Sequence, residues 1–258
     1  AGKTSIFRML TTLLLPDSGS ATVLGYDVVK DYREIRKEVG YMPGRFSLYQ
    51  DLSVEENLNF YATLFGTTVE ENIDLIRDIY VQIEPFKKRR AGKLSGGMKQ
   101  KLALCFALIH KPRVLFLDEP TTGIDPVSRK ELWEMLRKLK QEDIAILVST
   151  PYMDEALQCD RIGLMKNGEM MKIGTPQNMI NSYYKPLYAV YSDNIFHLLQ
   201  ILEKYPNRIN SYAFGDKVHV IVDKSEKELF DYLTEKNFKD IQIEKIKPTV
   251  EDCFIDLS

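Results

Sequence analysis

A run of apolar residues, Val114 to Leu117, ends directly in two carboxylates, Asp118 and Glu119. A strand uninterrupted by polar residues suits the buried centre of a parallel sheet, because both of its faces are covered. Residues 144–148 form a second apolar run, which predicts another buried strand. Between them, Asp125-Pro126 supplies an N-cap and a proline at the first helical position, so a helix is expected to about residue 140. Strands that alternate with helices in this way predict an α/β domain.

The residues before this strand predict further short elements. Ser53-Val54-Glu55-Glu56 has the spacing of a capping box, so a helix is expected to begin there. Apolar spacing and turn residues predict the others, which are helices at 4–14, about 70–83 and about 98–110, and strands at 21–24 and 39–42.

The pattern changes after Pro186. Strands are predicted at 187–191, 209–214, 217–222 and 241–246, and helices at 194–204, 226–236 and the end of the chain. The order β-α-β-β-α-β is the ferredoxin-like arrangement. We therefore expect a small C-terminal α+β accessory domain at 185–258, after a larger domain of residues 1–180.

Composition limits the partners and the location. The 35 basic and 37 acidic residues nearly cancel, which argues against nucleic acid as the main partner, because that affinity needs a concentrated basic face. Cys105, Cys159 and Cys253 show neither a disulfide framework nor zinc spacing, which fits a reducing compartment. The apolar stretch 102–109 is far shorter than the roughly 20 residues that span a bilayer. Any membrane link is therefore expected through a partner chain, so the protein is expected to be cytosolic or peripheral on the cytoplasmic side of the cell membrane.

The chain begins with Ala1-Gly2-Lys3-Thr4-Ser5, without an initiator methionine or a lead-in strand, and we interpret this start as a truncation. Gly2-Lys3-Thr4 matches the closing part of G-x-x-x-x-G-K-[ST]. In that loop the glycine lets backbone N–H groups surround phosphates, the lysine reaches the β- and γ-oxygens, and the hydroxyl binds Mg²⁺. The triplet alone is weak evidence, because a lysine at the start of a surface helix explains it about equally well.

Two more segments carry related chemistry. Asp118, at the end of a buried strand, can hold Mg²⁺ through water, and Glu119 can act as general base on an attacking water. The alternative is a strand that merely ends in an acidic turn. Ser95-Gly96-Gly97 at a helix start exposes N–H groups at the positive end of the helix dipole, which suits a γ-phosphate.

Taken in order, the motifs GKTS at 2–5, LSGGM at 94–98, LFLDEP at 115–120 and GIDP at 123–126 resemble the ATP-binding subunit of ABC transporters. The resemblance covers nearly all of residues 1–176. It implies a P-loop NTPase fold with a helical subdomain at about 45–105, and ATP and Mg²⁺ as ligands. Residues 47–58 (SLYQDLSVEENL) and the ending 248–254 (PTVEDCF) also resemble subunits of the bacterial drug- and ABC-2-type export group.

The resemblance implies a role for each motif. The residues that match the phosphate loop are Gly2, Lys3, Thr4 and Ser5. Thr4 and Asp118 match the residues associated with Mg²⁺, and Glu119 matches the catalytic base. The residues that match the signature, which completes a partner domain's ATP site across a dimer, are Ser95, Gly96 and Gly97. The expected partners are therefore a second ABC ATP-binding domain and a transmembrane permease.

Two positions depart from the family pattern. After Tyr41-Met42-Pro43 the family usually has a glutamine that touches Mg²⁺ and the lytic water, but this chain has Gly44, and Gln50 is out of register. Where the family usually has a histidine that donates to the γ-phosphate, this chain has Pro151, which offers no donor. Loss of one such donor costs about 2.7–4 kcal/mol in the barrier, about a hundred- to a thousandfold in rate. His110 is expected at the carboxyl end of the signature helix, where the dipole favours its charge.

The leading interpretation is an ATP-hydrolysing subunit that powers an ABC-type exporter. The alternative is a regulatory half that clamps ATP and hydrolyses it slowly; intact Glu119 favours the enzyme, whereas Gly44 and Pro151 favour the clamp. A soluble ABC protein acting on ribosomes or DNA is disfavoured by the near-neutral charge and by the absence of a long charged linker.

Overall fold

The computed structural model describes residues 2–44, 48–223, 225–236, 238 and 241–257. The expected truncated start at Ala1, the beginning of the helical subdomain at 45, the first residue of the segment 47–58 and the last residue of the accessory domain therefore lie outside the described residues. The chain divides into two compact units, Ala1–Tyr152 with Asn167–Glu169, and Met153–Lys166 with Met170–Ser258. The second unit takes in residues that the sequence assigns to the larger domain, and the boundary at 180–185 stays a prediction.

The first unit contains six α-helices and five strands among its described residues. In chain order these are α1 (Lys3–Leu10), β1 (Thr22–Val23), β2 (Tyr26–Asp27), α2 (Tyr32–Glu38), β3 (Val39–Met42), α3 (Val54–Leu64), α4 (Val69–Tyr80), α5 (Gly96–Leu108), β4 (Val114–Asp118), α6 (Pro126–Leu139) and β5 (Ala145–Ser149). Strands β3, β4 and β5 form a parallel sheet in that order, which confirms the α/β class.

The centre of this sheet is buried as predicted. Every residue of β4 is buried, and α1 packs on it through Phe7 and Phe116, whose ring centroids lie 5.3 Å apart in an edge-to-face arrangement. The prediction for β5 is wrong, because Ala145 and Leu147 are exposed. Within the described residues β5 pairs with β4 alone, so it is an edge strand with alternating exposure.

Helix boundaries follow the capping chemistry where that chemistry is present. At the start of α3, Glu56 N donates to Ser53 Oγ at 3.2 Å and Ser53 N donates to Glu56 Oε2 at 2.7 Å, so the capping box is confirmed. Asp125 caps α6 through the N–H groups of Val127 and Ser128, also as predicted. Helix α1 ends earlier than expected, because Thr12 adopts a left-handed φ of 61° that a continuing helix does not allow.

The prediction that His110 is favoured in its charged form is wrong. The side chain follows α5, stacks on Phe65 with ring centroids 3.9 Å apart, and lies with Nε2 3.1 Å from the carbonyl oxygen of Val39. Burial lowers the pKa of His110, and this outweighs the contact with the Val39 carbonyl, which raises it. The neutral form is therefore favoured, although the residue lies at the carboxyl end of a helix.

The second unit contains five α-helices and six strands among its described residues. They are α7 (Met153–Ala156), β6 (Ile162–Lys166), β7 (Glu169–Gly174), α8 (Pro176–Asn181), β8 (Leu187–Tyr191), α9 (Ile195–Glu203), β9 (Arg208–Phe214), β10 (Lys217–Val222), α10 (Glu226–Glu235), β11 (Gln242–Lys245) and α11 (Val250–Asp256). The antiparallel sheet has the order β11-β8-β10-β9. Helices α9 and α10 cover one of its faces through buried leucines, which confirms the ferredoxin-like arrangement. Across the described part of the chain, no helix is both long enough and apolar enough to cross a bilayer.

Candidate functional site

The site residues are brought together by the register of the parallel sheet. Met42 aligns with Leu117, and Asp118 aligns with Ser149. The carboxyl ends of β3, β4 and β5 therefore meet at one edge, where Gly44, Glu119 and Pro151 follow. Ligands in open α/β sheets bind at this edge.

Asp118 is the buried member of this group. Its side chain is 3% exposed, and its Oδ1 accepts a hydrogen bond from Ser149 Oγ at 2.5 Å. Ser149 is a residue whose part in the site the sequence did not indicate. Its position in the sequence could have indicated this part, because Ser149 is the polar residue at the end of the strand that pairs with β4.

Glu119 adopts a backbone conformation that is rare for its residue type. Its φ is 49°, in the left-handed region, and such strain costs about 1–3 kcal/mol. Ser149 holds it there, because Glu119 N donates both to the carbonyl oxygen of Ser149 at 2.9 Å and to its Oγ at 3.1 Å. Thr122 Oγ1 donates to Glu119 Oε2 at 3.3 Å. A strained, half-buried carboxylate is what an active site commonly contains.

The phosphate-loop residues open helix α1. Gly2 has a φ of 102°, which favours glycine, and Lys3 is the first helical residue. Thr4 and Ser5 are exposed in the first turn, where backbone N–H groups lack intrahelical acceptors. Burial and the charge of Asp118 raise the pKa of Tyr41, while Arg8 of α1 lowers it. Helix α1 and Asp118 thus lie close enough to the same tyrosine to act on it electrostatically.

The two departures from the family pattern lie beside the carboxylates. A Cβ added to Gly44 would lie 3.0 Å from the carbonyl oxygen of Asp118 and 3.9 Å from Glu119 Cβ. Pro151 is exposed just beyond the end of β5. No donor side chain is therefore present at either position.

The signature residues open helix α5. Ser95 is its N-cap, and its Oγ accepts from Met98 N at 3.3 Å. A Cβ at Gly97 would lie 2.6 Å from Ser128 Oγ and 3.1 Å from Ser128 Cβ, so a larger residue there would force Ser128 at the start of α6 to move. Ser95 and Gly96 are exposed. Gly96 and Gly97 lie against residues 123–128.

The donors present are suited to a hard cation bound with phosphate. The Thr4 hydroxyl and the Asp118 carboxylate supply oxygen, which Mg²⁺ prefers, and Mg²⁺ commonly takes one or two protein ligands together with substrate phosphates. Among the described residues there is no cluster of three or more His, Cys, Asp or Glu side chains that could hold a metal by itself. The residues therefore fit a metal that arrives with a nucleotide.

Comparisons with known proteins agree with this chemistry. The family model described as "ABC transporter" matches residues 1–122. The probable multidrug ABC transporter ATP-binding protein YbhF of Escherichia coli (strain K12) is 42% identical over 261 residues, which cover 100% of this chain and 45% of that protein. The Nod factor export ATP-binding protein I of Rhizobium sp. (strain N33) is 35% identical over 213 residues, which cover 81% of this chain and 70% of that protein. The chain thus spans less than half the length of the Escherichia coli relative.

Solved structures show the same fold. The structure of an ATP-binding subunit of an ABC transporter superposes with a TM-score of 0.63 at 26% identity, covering 70% of this chain and 76% of that chain. The protein cbiO1 from Clostridium perfringens, part of the ABC transporter complex cbiONQ, gives a TM-score of 0.60 at 26% identity over 70% of this chain and 77% of that chain.

Proposed function

This chain is an ATPase domain of the ABC transporter family, and we propose that it binds ATP and Mg²⁺, hydrolyses ATP together with a second ABC domain, and powers an exporter in the membrane. The observation that carries the proposal is the turn after β4, in which Ser149 contacts both the buried Asp118 carboxylate and the strained Glu119 backbone. An unconstrained acidic turn would not require these contacts.

Each residue acts through ordinary phosphoryl-transfer chemistry. The N–H groups at the start of α1 and the Lys3 ammonium bind and orient the phosphates. Glu119 positions the attacking water and accepts its proton. Thr4 and Asp118 would hold Mg²⁺, and the bound ion would neutralise charge on the phosphate oxygens. Removal of Mg²⁺ should therefore stop hydrolysis.

The partner domain is expected to meet α5. Ser95 and Gly96 are exposed at the positive end of a helix of 13 residues. They are positioned to bind the phosphates of a nucleotide held by the second domain. We propose that a permease contacts the apolar patch of Tyr49, Phe60 and Leu64, which are 48%, 42% and 65% exposed. The Tyr49 and Phe60 rings pack edge to face at 4.8 Å. Exposed aromatic groups of this kind are enriched at protein interfaces.

The slow clamp remains the second candidate, because Gly44 offers no side chain to Mg²⁺ and the lytic water, and Pro151 offers no donor to a γ-phosphate. The experiment that separates the two candidates is single-turnover ATP hydrolysis by the full-length protein assembled with its partner domain. Glu119→Gln should abolish hydrolysis at this site while ATP binding persists. Pro151→His should accelerate a slow site by about a hundredfold or more. The control is Pro85→His, because Pro85 is exposed in a short 3₁₀ helix and its replacement should leave the rate unchanged.

If the protein does not bind ATP, or if Glu119→Gln hydrolyses ATP as fast as the unmodified protein does, the proposed enzymatic role is wrong. If the unmodified site is already fast and Pro151→His adds nothing, the clamp is the wrong candidate.

A further inference from the structure

Gln100 is a buried polar residue that the reaction described above does not use. It lies on α5, is 3% exposed, and its Nε2 donates a hydrogen bond to the carbonyl oxygen of Pro120. Pro120 directly follows Glu119. The side chain thus connects the signature helix to the turn that carries the proposed general base.

The first turns of α5 also contact the segment that leads from this turn into α6. A Cβ at Gly96 would lie 3.7 Å from the Gly123 carbonyl oxygen, and one at Gly97 would meet Ser128. Lys101 forms an ion pair with Glu131 of α6 at 2.7 Å. The start of α5 therefore contacts Pro120 in the turn and residues 123–131 after it.

The turn needs to be held from outside, because Glu119 occupies a left-handed conformation that its residue type disfavours. Ser149 holds the N-terminal side of the turn through the Glu119 N–H. Gln100 holds the C-terminal side through the Pro120 carbonyl. Without the second contact, the strain at Glu119 can relax by a rotation of the turn, which moves the carboxylate.

We propose that Gln100 is a positioning residue that holds Glu119 in its catalytic geometry and links it to the α5 helix start offered to the second domain. A shift of α5 on contact with a neighbouring nucleotide is then transmitted to the general base of this domain. The proposal rests on the proposed function, because it assigns a role within the same hydrolytic site.

The test compares two buried carboxamides, one that lies near the start of α5 and one that contacts the residue after its end. Gln100→Met removes the donor to Pro120 and keeps the length of the side chain. The matched control is Asn72→Leu: Asn72 is 7% exposed, and its Nδ2 donates to the Ile109 carbonyl at 2.6 Å, beyond the far end of α5. Gln100→Met removes the hydrogen bond to Pro120, whereas Asn72→Leu removes two, because Asn72 Nδ2 also donates to Thr67 Oγ1 at 2.8 Å. The control is therefore at least as disruptive locally, but of the two side chains only Gln100 contacts the turn that carries Glu119.

The assay is steady-state ATP hydrolysis by the full-length protein with its partner domain. Gln100→Met should lower kcat about tenfold to a hundredfold with KM for ATP little changed, because displacement of a catalytic group costs up to about a hundredfold. Asn72→Leu should leave kcat within about twofold. If Gln100→Met does not fold, Gln100→Asn, whose amide falls one methylene short of Pro120, should lower kcat in the same direction.

Hydrogen exchange of the backbone amides of Glu119, Thr121 and Thr122 in nucleotide-free protein gives a readout that is independent of activity. Gln100→Met should accelerate this exchange at least tenfold relative to the Asn72→Leu protein. The proposal is overturned if exchange is unchanged, or if both variants lower kcat equally. Failure of the unmodified protein to hydrolyse ATP would instead overturn the proposed function, and the exchange result would still report on the Gln100 contact.

Discussion

Replacement of Asp252 by asparagine should destabilise the second unit by about 3 kcal/mol. The carboxylate is fully buried in the first turn of α11. Its Oδ1 accepts from Tyr212 OH and lies 2.6 Å from His219 Nδ1, and its Oδ2 accepts from Thr249 N and Oγ1, both at 2.6 Å. An asparagine that kept the first two contacts would turn its NH₂ group towards the Thr249 N–H, so the capping hydrogen bond and the charge would both be lost.

The magnitude follows from the pKa of Asp252. Burial acts to raise this pKa, but the hydrogen bonds from His219, Thr249 and Tyr212 together outweigh burial and lower it from 3.8 to about 2. Because one pKa unit corresponds to about 1.36 kcal/mol, ionisation stabilises the folded unit by about 2.4 kcal/mol. Loss of the capping bond adds about 1 kcal/mol.

The sign of the pH dependence follows from the lowered pKa. The stabilisation is complete above the unfolded pKa of 3.8 and is lost as pH falls through the folded pKa of about 2. At pH 3, about 1 kcal/mol of it should already be gone. The difference in unfolding free energy between Asp252→Asn and the unmodified protein should therefore shrink by that amount between pH 7 and pH 3.

The assay measures urea unfolding of the second unit, monitored by hydrogen-exchange mass spectrometry of peptides that cover residues 217–222 and 250–257. The control is Glu251→Gln, because Glu251 is exposed in the same helical turn and its replacement should change stability by less than about 0.5 kcal/mol. A difference for Asp252→Asn that is below about 1 kcal/mol at pH 7, or that is the same at pH 7 and pH 3, would refute the reasoning.

Three further predictions concern the first unit, whose unfolding can be followed by the fluorescence of Trp133, the single tryptophan of the chain. Glu119→Gly should be more stable than Glu119→Ala by about 1 kcal/mol, because glycine alone relieves the left-handed φ, and both variants should lose hydrolysis. Ser53→Ala should lower the unfolding free energy by about 1 kcal/mol through loss of the capping box, whereas an unchanged value would contradict that role. His110→Gln should weaken the loss of stability on acidification from pH 7 to pH 5, since burial lowers the pKa of His110 and the unfolded chain takes up the proton first.

The elements that the sequence predicted well are those fixed by local chemistry. The apolar side chains before Asp118 avoid water only in a strand that is covered on both faces. The side chains of Ser53 and Asp125 accept hydrogen bonds from N–H groups two or three residues away. The exposure of β5 and the lowered pKa of His110 depend instead on which elements pack nearby. Periodicity carries no information about neighbours that are distant in sequence.

The same distinction applies to the candidate site. Asp118 and Glu119 were predictable because their residue types follow directly on a buried strand. Ser149 and Gln100 were not assigned a role, because each contacts the catalytic turn across 30 or 20 residues of sequence. A serine or glutamine in isolation predicts no particular acceptor.

The two departures from the family pattern are not equivalent in this fold. A Cβ at Gly44 would lie 3.0 Å from the Asp118 carbonyl oxygen, and that carbonyl belongs to the peptide that leads into the strained Glu119. Any side chain at position 44 therefore presses on the turn that holds Glu119, the proposed general base, and a shift of a few tenths of an ångström there displaces the carboxylate. Pro151 is exposed beyond β5, so a histidine at that position adds a donor without moving the turn. The present backbone therefore requires glycine at position 44, whereas a single substitution can reverse the departure at position 151. Pro151→His should raise the rate of ATP hydrolysis. Gly44→Ala, which adds only the Cβ, should lower that rate.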